Sequence, residues 1–159
     1  MIITGVDCGK LGAIVHLDTD TGEALVLPSW AEYVTAKEYQ PALMLDALVR
    51  WGRPGLVAIE KQHATPQQGR TSALTTGYGF GLWVGLCAGL GCPYRIVRAV
   101  DWQRGIGVER CADKSQVKAR VQAQVMALMP SLDMPNAKAK REAVADAAGI
   151  ALWAREVSR

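Results

Sequence analysis

Residues 2–17 of the chain read IITGVDCGKLGAIVHL. Two apolar runs, residues 2–6 and 13–17, flank a short segment with two glycines, which is the pattern of two strands joined by a tight turn. Residues 18–22 are again rich in turn-forming residues, and a third strand-like run follows at 23–27. The sequence therefore predicts that the chain begins with an antiparallel meander of three strands.

Beyond the meander, the pattern changes to alternating helices and strands. Thr35 can cap a helix that runs to about Trp51. Residues 56–59 form a continuous apolar run, which is typical of a strand buried on both faces. The remaining predicted elements are a polar loop at 61–69, a glycine-rich helix after it, a strand at 94–97, and helices to the end apart from a break at 130–135. This order predicts an α/β fold with a mixed five-stranded sheet, in which parallel strands extend the antiparallel meander and helices flank the sheet.

The length and charge of the chain limit its function. Its 159 residues fit a single domain that spans 1–159, and the formal net charge of +3 is close to neutral. The charge is unevenly distributed, because residues 94–141 hold ten Lys or Arg and four Asp or Glu, which leaves the rest of the chain with a charge of −3. Such a basic segment indicates a face for a polyanion, and a solvated charged surface is the alternative.

Residues 71–94 contain no charged side chain, and 24 residues are long enough to cross a bilayer. Six glycines make this stretch a weak membrane span, so we expect a buried helix of a soluble domain. Gly77, Gly81, Gly85 and Gly89 recur at every fourth position. This row would allow the close approach of another helix, either within the chain or from a second copy.

The four cysteines show no CxxC spacing, and two histidines are too few to complete a zinc site. The first residues carry no targeting signal. We therefore expect reduced thiols and a cytoplasmic location, in a bacterium or a phage-infected host.

Four carboxylates occupy positions that suggest a site. Asp7 and Glu60 each end an apolar strand, at the edge where open α/β sheets bind ligands. Glu142 and Asp146 are four residues apart in the predicted final helix, on the face that carries an apolar row. Buried like charges need a neutralising cation, and oxygen ligands without His or thiolate favour Mg²⁺ or Mn²⁺. We therefore predict a metal site formed by these four side chains.

Two lysines begin the inward face of the preceding helix. Its apolar stripe contains Val117 and Val121, and at 100° per residue Lys114 falls on this stripe and Lys118 at its edge. An inward lysine at a helix start can contact phosphate, and a lysine that reaches solvent from a frayed helix end is the alternative.

Five blocks of the chain together form a recognisable ordered set. They are Gly5-Val6-Asp7-Cys8-Gly9, Val57-Ala58-Ile59-Glu60-Lys61, the glycine-rich helix, Asp113-Lys114-Ser115-Gln116-Val117, and Ala145-Asp146-Ala147-Ala148-Gly149-Ile150-Ala151. In this order they resemble the blocks of the RuvC family of Holliday-junction resolvases, within the RNase H-like superfamily. The resemblance covers nearly the whole chain and implies an RNase H-like fold with nuclease activity.

The resemblance also implies roles for individual residues. The acidic cluster of the family maps to Asp7, Glu60 and Asp146, and its catalytic-centre lysine maps to Lys114. Cellular members have two aspartates three residues apart on the final helix, whereas position 143 is Ala here. Either Glu142 takes the fourth acidic role, or three acids and water suffice.

Other positions are predicted to contact DNA. His63 stands where the family has an aromatic residue that probes the junction centre, and Trp102-Gln103-Arg104 resembles a motif of the phage branch. The complete predicted set of DNA contacts is Lys61, His63, Arg70, Arg104, Lys114 and Lys118.

These inferences combine into the hypothesis of a Holliday junction resolvase that makes paired nicks in four-way DNA and leaves 5′-phosphate and 3′-hydroxyl ends. Asp7 would bridge two Mg²⁺ or Mn²⁺ ions, the other three acids would complete their shells, and Lys114 would stabilise charge on the scissile phosphate. Paired nicks imply a homodimer, and no membrane partner is expected.

Three alternatives remain at this stage. The first is a metal-independent protein that binds branched nucleic acid, and the second is an RNase H-like nuclease that acts on RNA. The third is a sugar kinase or actin-like ATPase, suggested by the Asp7-Cys8-Gly9 turn. The length of the chain disfavours this third alternative, because those folds need two such domains.

Overall fold

The computed structural model describes residues 1–63, 68–109 and 111–158. Residues 64–67 of the predicted polar loop, Arg110 of the basic segment and Arg159 lie outside the described residues. The strands are β1 (Ile2–Asp7), β2 (Ala13–Asp18), β3 (Ala24–Pro28), β4 (Val34–Thr35), β5 (Glu38–Tyr39), β6 (Leu56–Glu60) and β7 (Tyr94–Val97). The helices are α1 (Ser29–Glu32), α2 (Pro41–Leu48), α3 (Arg70–Gly89), α4 (Ala99–Gly105), α5 (Lys114–Leu128) and α6 (Lys138–Val157).

The five longer strands form one mixed sheet in the order β3-β2-β1-β6-β7. β2 pairs antiparallel with both β1 and β3, whereas β6 pairs parallel with both β1 and β7. This confirms the predicted α/β fold, in which an antiparallel meander is extended by parallel strands. Val6 pairs with Ile59, and Ile59 with Ile96, so β1, β6 and β7 end at the same edge of the sheet.

Helices cover both faces of this sheet. Trp102 of α4, Val121 of α5 and Ile150 of α6 share one buried cluster with Ile3 of β1. The opposite face carries Val6 in a second cluster, formed with residues of α2 and α3. Because side chains alternate along a strand, Asp7 and Glu60 point toward the α6 side of the sheet.

Gly5 is the point of closest approach between β1 and α6. A Cβ atom at this position would lie 2.1 Å from the carbonyl oxygen of Ala147 and 2.5 Å from the amide nitrogen of Ala151. Both neighbours are backbone atoms in a helix, which cannot turn aside as a side chain can. Only glycine therefore allows α6 to pack this closely on the strand that carries Asp7.

We predict that Gly5→Ala destabilises the protein by about 3 kcal/mol, because overpacking a rigid core forces a backbone shift. The measurement is urea unfolding of the variant and of Gly69→Ala, a control in which the added methyl group meets open space at an ordinary φ of −62°. Equal unfolding free energies for Gly5→Ala and wild type would contradict the close packing.

A buried polar pair connects the meander to α2. Nε2 of His16 lies 2.9 Å from the carbonyl oxygen of Ala47, and Nδ1 lies 2.7 Å from Oγ1 of Thr4. A carbonyl oxygen only accepts, so Nε2 carries the proton and Nδ1 accepts from the threonine hydroxyl. Burial lowers the pKa of His16, which is consistent with a neutral imidazole that serves the fold.

The helix predicted from Thr35 to Trp51 is wrong at its beginning. Thr35 belongs to a β4–β5 hairpin, and α2 begins only at Pro41, where the fixed φ of proline suits the first helical position. The two turn residues, Ala36 and Lys37, have φ values of 52° and 64°. Left-handed angles at both positions give a two-residue hairpin the twist that its strands require. They are unusual for residues other than glycine or asparagine, and each costs on the order of 1–3 kcal/mol.

The prediction of a buried glycine-rich helix is also wrong. Only Gly79, Trp83 and Cys87 of α3 are buried, because the helix places one narrow stripe against β6 and leaves most of its surface open. Cβ atoms added at Gly77, Gly81, Gly85 and Gly89 would meet no other atom within 4 Å. Among the described residues, no helix is long and apolar enough to cross a membrane.

Candidate active site

Asp7 and Glu60 lie at the ends of two neighbouring parallel strands. The pairing of Val6 with Ile59 carries the next residue of each strand to the same edge, on the face covered by α6. The backbone amide of Gly9 donates a hydrogen bond of 3.3 Å to Oδ1 of Asp7, so the turn after β1 orients this carboxylate. The meander and the β1–β6 register therefore bring two acids together.

The third acid comes from α6, which lies across β1 at Gly5. Asp146 is 6% exposed. Its Oδ1 atom is fully buried and has no hydrogen-bond partner among the described residues. An unpartnered buried carboxylate oxygen is costly, so this atom is the clearest indication that the site takes a ligand.

A lysine from α5 completes the cluster. Asp113 caps this helix, because Oδ1 accepts a hydrogen bond of 2.8 Å from the amide of Ser115. The buried stripe of Val117 and Val121 then packs α5 beside α6. As a result, Nζ of Lys118 forms an ion pair with Oδ2 of Asp146.

These side chains share one groove of about 660 Å³ at the sheet edge. It is lined by Asp7, Glu60, Lys61, Gln62, His63, Ala99, Gln103, Cys111, Ala112, Lys114, Val117, Lys118 and Asp146. The groove thus unites three of the four predicted acids with four of the predicted DNA contacts.

The electrostatics of the groove reflect three acids around one cation. Burial and the neighbouring Asp7 and Asp146 raise the pKa of Glu60 to about 8. Burial raises the pKa of Asp146 to about 6, although Lys118 opposes the shift, and burial likewise raises the pKa of Asp7. Burial disfavours the charged form of Lys118, but the three carboxylates prevail and raise its pKa. The ammonium group therefore neutralises part of the acidic cluster.

Both lysines that were predicted to begin the inward face of α5 line the groove. Lys118 reaches the acids, whereas Lys114 is exposed, because it is the first residue of α5 and precedes the turn that packs on α6. The role of Lys114 in phosphate binding stays a prediction.

Three other predicted residues lie outside the groove. Glu142 is half-buried one turn before Asp146, and its charge helps to raise the pKa of that residue. Arg70 is exposed at the start of α3, and Arg104 is exposed in the last turn of α4. Their assignment to metal or DNA binding stays a prediction.

Sequence reasoning missed the support that α4 provides. Trp102 is fully buried and packs α4 into the core, while Gln103 is nearly buried and lines the groove. The signal was present, because a polar Gln after a core Trp on a helix next to a strand-end acid is unusual for a surface helix.

The donor set fits a hard divalent cation. Three carboxylates face one groove, which His63 and Cys111 also line, and Oδ1 of Asp146 has no hydrogen-bond partner among the described residues. Carboxylate oxygens are the ligands that Mg²⁺ and Mn²⁺ prefer. Within the described ranges, no three acidic, thiol or imidazole side chains already stand in a metal-ligating cluster. The ammonium group of Lys118 engages Oδ2 of Asp146, one of the oxygens that a metal ion would need.

The raised carboxyl pKa values predict how metal-free stability depends on pH. Protonation of Glu60 stabilises the folded state, and this contribution is lost as the pH rises through about 8. In EDTA, the free energy of unfolding should therefore fall by an amount on the order of 1 kcal/mol between pH 7 and 9. This pH range lies above the titration of His16. Glu60→Gln should flatten this slope, and Mg²⁺ should offset the loss at pH 9. If stability depended on pH in the same way in Glu60→Gln as in wild type, the raised pKa of Glu60 would be contradicted.

Comparison with solved structures identifies the fold. RuvC of T. thermophilus in complex with a Holliday junction substrate superimposes with a TM-score of 0.69 at 19% identity, over 99% of this chain and 95% of that one. Another Thermus thermophilus RuvC structure gives 0.65 at 19% identity, over 99% and 96% of the two chains. The yeast mitochondrial Holliday junction resolvase Ydc2 gives 0.51 at 12% identity, over 97% and 78%.

No protein-family model and no curated protein sequence matches the chain. At these identities the agreement is one of architecture. The chain therefore has the RNase H-like fold of the RuvC resolvases.

Proposed function

We propose that the chain is a divalent-metal-dependent endonuclease that resolves four-way DNA junctions. The observation that carries this proposal is the convergence of Asp7, Glu60 and Asp146 in one groove, with a buried unpartnered oxygen on Asp146. The similarity to structures of Holliday junction resolvases supports the choice of substrate.

The acids of the site would together hold two Mg²⁺ or Mn²⁺ ions. Asp7, Glu60 and Asp146 would hold the ions through their carboxylate oxygens, and Glu142, one turn before Asp146, would assist. When bound, such ions activate water and stabilise the leaving 3′ oxygen of a phosphodiester. This chemistry would leave 5′-phosphate and 3′-hydroxyl ends.

Cations around the groove would hold the DNA backbone. Lys61, His63 and Lys114 line it and are exposed, so their positive or hydrogen-bonding groups are available to phosphate oxygens. Lys114 would also stabilise charge that develops on the scissile phosphate. Arg70 and Arg104 would extend this contact beyond the groove. The assignment to the phage branch, based on residues 102–104, stays a prediction.

A second copy of the chain would supply the second nick. The open face of α3 carries its glycine row together with Leu74, which is 75% exposed, and Tyr78, which is 50% exposed. Small residues at every fourth position let helix backbones approach closely, and the exposed large side chains provide apolar area. We propose that this face forms the homodimer interface.

Gly81→Arg should therefore convert a dimer into a monomer, because the guanidinium group would occupy the space that the second helix needs. Sedimentation at micromolar concentration measures the change. Lys140→Arg is the control, because it places an arginine at another surface position and leaves the net charge unchanged. The monomer should still bind a junction but should nick only one strand in each binding event. Dimeric Gly81→Arg would contradict this interface.

Competition between substrates tests the proposed function. A labelled four-way DNA junction would be challenged with unlabelled junction, linear duplex of the same sequence, and RNA–DNA hybrid, in Mg²⁺ and in EDTA. We expect only the unlabelled junction to compete at equal concentration. Preference for the hybrid would indicate a nuclease that acts on RNA, and junction binding without metal-dependent cutting would indicate a binding protein.

A further inference from the structure

A second cavity, of about 880 Å³, lies behind the active-site groove. It opens between the β4–β5 hairpin and the first half of α3, on the face of the sheet opposite α6. Gln62 lines both the cavity and the groove, and Cys8, which lines the cavity, directly follows Asp7. An occupant of the cavity would therefore lie next to the strand end that carries the acid, yet the proposed cutting reaction does not use this space.

The cavity wall combines aromatic rings with hydroxyl groups. Trp30 and Tyr39 line it from α1 and the hairpin, and Thr71 and Thr75 face it from successive turns of α3. Ser72 and Thr76 line it as well, but both hydroxyls are engaged by Nε2 of Gln68, at 3.0 Å and 3.1 Å. Neither Thr71 nor Thr75 makes a side-chain hydrogen bond to another described residue. These two hydroxyls can therefore donate to or accept from an occupant.

Two lysines give the cavity a positive rim. Nζ of Lys10 lies 5.8 Å from the centre of the Tyr39 ring and 3.7 Å from Oε1 of Glu38. Lys37 has no ion-pair partner among the residues that the structure describes, and it also lines the cavity. The left-handed turn at Ala36 and Lys37 places this lysine at the rim, so the hairpin holds a free cation there despite its unfavourable backbone angles.

One hydrogen bond connects the cavity wall to the active site. The hydroxyl of Tyr39 donates to the carbonyl oxygen of Cys8 at 2.9 Å. The ring is held on its other side by Gly79 of α3, where a Cβ atom would lie 2.5 Å from the tyrosine oxygen. Tyr39 is 5% exposed, so an occupant would contact only the part of the ring that lines the cavity. That contact would still lie on the residue that bonds the backbone next to Asp7.

We propose that this cavity accepts one unstacked nucleotide of the DNA strand whose phosphate lies in the groove. Aromatic rings beside cations are the chemistry that binds single-stranded bases, and the free hydroxyls match the polar edge of a base. Turning a base out of continuous duplex costs its pairing and its stacking on both sides, whereas a base pair at an open branch point has already lost stacking on one side, so extrusion costs less there. The inference rests on the proposed function and adds to it a means of distinguishing branched from linear DNA.

Photocrosslinking locates the nucleotide directly. Four-way junctions carrying 5-iododeoxyuridine at each position around the branch point would be irradiated with wild-type protein in EDTA, and crosslinked peptides would be sequenced by mass spectrometry. We expect crosslinks to Trp30 or Tyr39 from one position and none from the same nucleotide in linear duplex. Crosslinks that map only to other segments would overturn the proposal.

Filling the cavity provides a second test. Thr75→Phe places a ring in the space, and Thr21→Phe makes the same change in an exposed turn far from it. We expect Thr75→Phe to lose the crosslink and to lower the ratio of junction to duplex affinity by about tenfold, with duplex affinity and melting temperature unchanged. Lys37→Glu should lower the ratio in the same direction, with Lys138→Glu as its control. Ratios equal to wild type in both cavity variants would overturn the proposal.

The two proposals fail in different ways. If wild-type protein cuts junctions with Mg²⁺ but gives no crosslink in the cavity, the nuclease stands and the nucleotide site is wrong. If it neither prefers nor cuts junctions, the proposed function is wrong. A crosslink to Trp30 or Tyr39 from an iodinated single strand would then still show nucleotide binding, and its absence would reject the cavity as well.

Discussion

Asp146→Asn is expected to lower the rate of metal-dependent junction cutting by at least about 10³-fold, since metal-ion stabilisation of developing charge contributes several kcal/mol. Asparagine keeps the shape of the side chain but removes the charge that a divalent cation requires. The buried oxygen at the Oδ1 position would no longer hold a metal ion with a full negative charge. The ion pair with Lys118 would become a hydrogen bond to a neutral side chain. Single-turnover cutting of a four-way junction in Mg²⁺ measures the effect.

The matched control is Asp46→Asn, an exposed aspartate of α2 on the opposite face of the sheet. It should cut at the wild-type rate. Junction binding in EDTA should be similar for both variants and wild type, which separates loss of chemistry from loss of folding. Unchanged cutting by Asp146→Asn would exclude the nuclease assignment in the form given above.

Lys118→Met should destabilise the metal-free protein and strengthen its response to metal. Without the ammonium group, three acids share the groove unneutralised. At pH 8 the free energy of unfolding should fall by an amount on the order of 1–3 kcal/mol. This decrease is smaller than for a fully buried pair, because the Lys118 side chain is 38% exposed. The same change removes the cation that competes with metal. Addition of Mg²⁺ should therefore raise the melting temperature of the variant more than that of wild type.

Lys114→Met is the control, because this lysine is exposed and forms no ion pair with a described residue. Its metal-free stability and its response to Mg²⁺ should match wild type, while junction cutting falls through loss of a phosphate contact. Equal Mg²⁺ responses in Lys118→Met and Lys114→Met would show that Lys118 does not compete with metal.

The sheet and its acids were predictable because local patterns determine them. Alternation along β1 and the apolar run of β6 set which residues face α6, and a carboxylate after a buried strand is placed by the strand itself. Asp146 was predictable for the same reason, since helical periodicity aligned it with the apolar face of α6.

Features that depend on tertiary packing were not predictable. Lys114 and Lys118 are four residues apart on one face of α5, so periodicity did not determine which of them reaches the acids; that depends on how α5 packs on α6. The β4–β5 hairpin was missed because Ala36 and Lys37 are not typical residues for its turn. The open face of α3 was missed because an uncharged helix predicts burial, whether the covering surface belongs to the same chain or to a second copy.

The most direct measurement is cutting of a fixed and a mobile four-way junction in Mg²⁺ and in EDTA, with both labelled strands resolved on a denaturing gel. The account predicts symmetric nicks in opposing strands, present only with metal, with 5′-phosphate ends that a ligase reseals. Intact strands in Mg²⁺, or equal cutting in EDTA, would contradict a metal-dependent resolvase built on Asp7, Glu60 and Asp146.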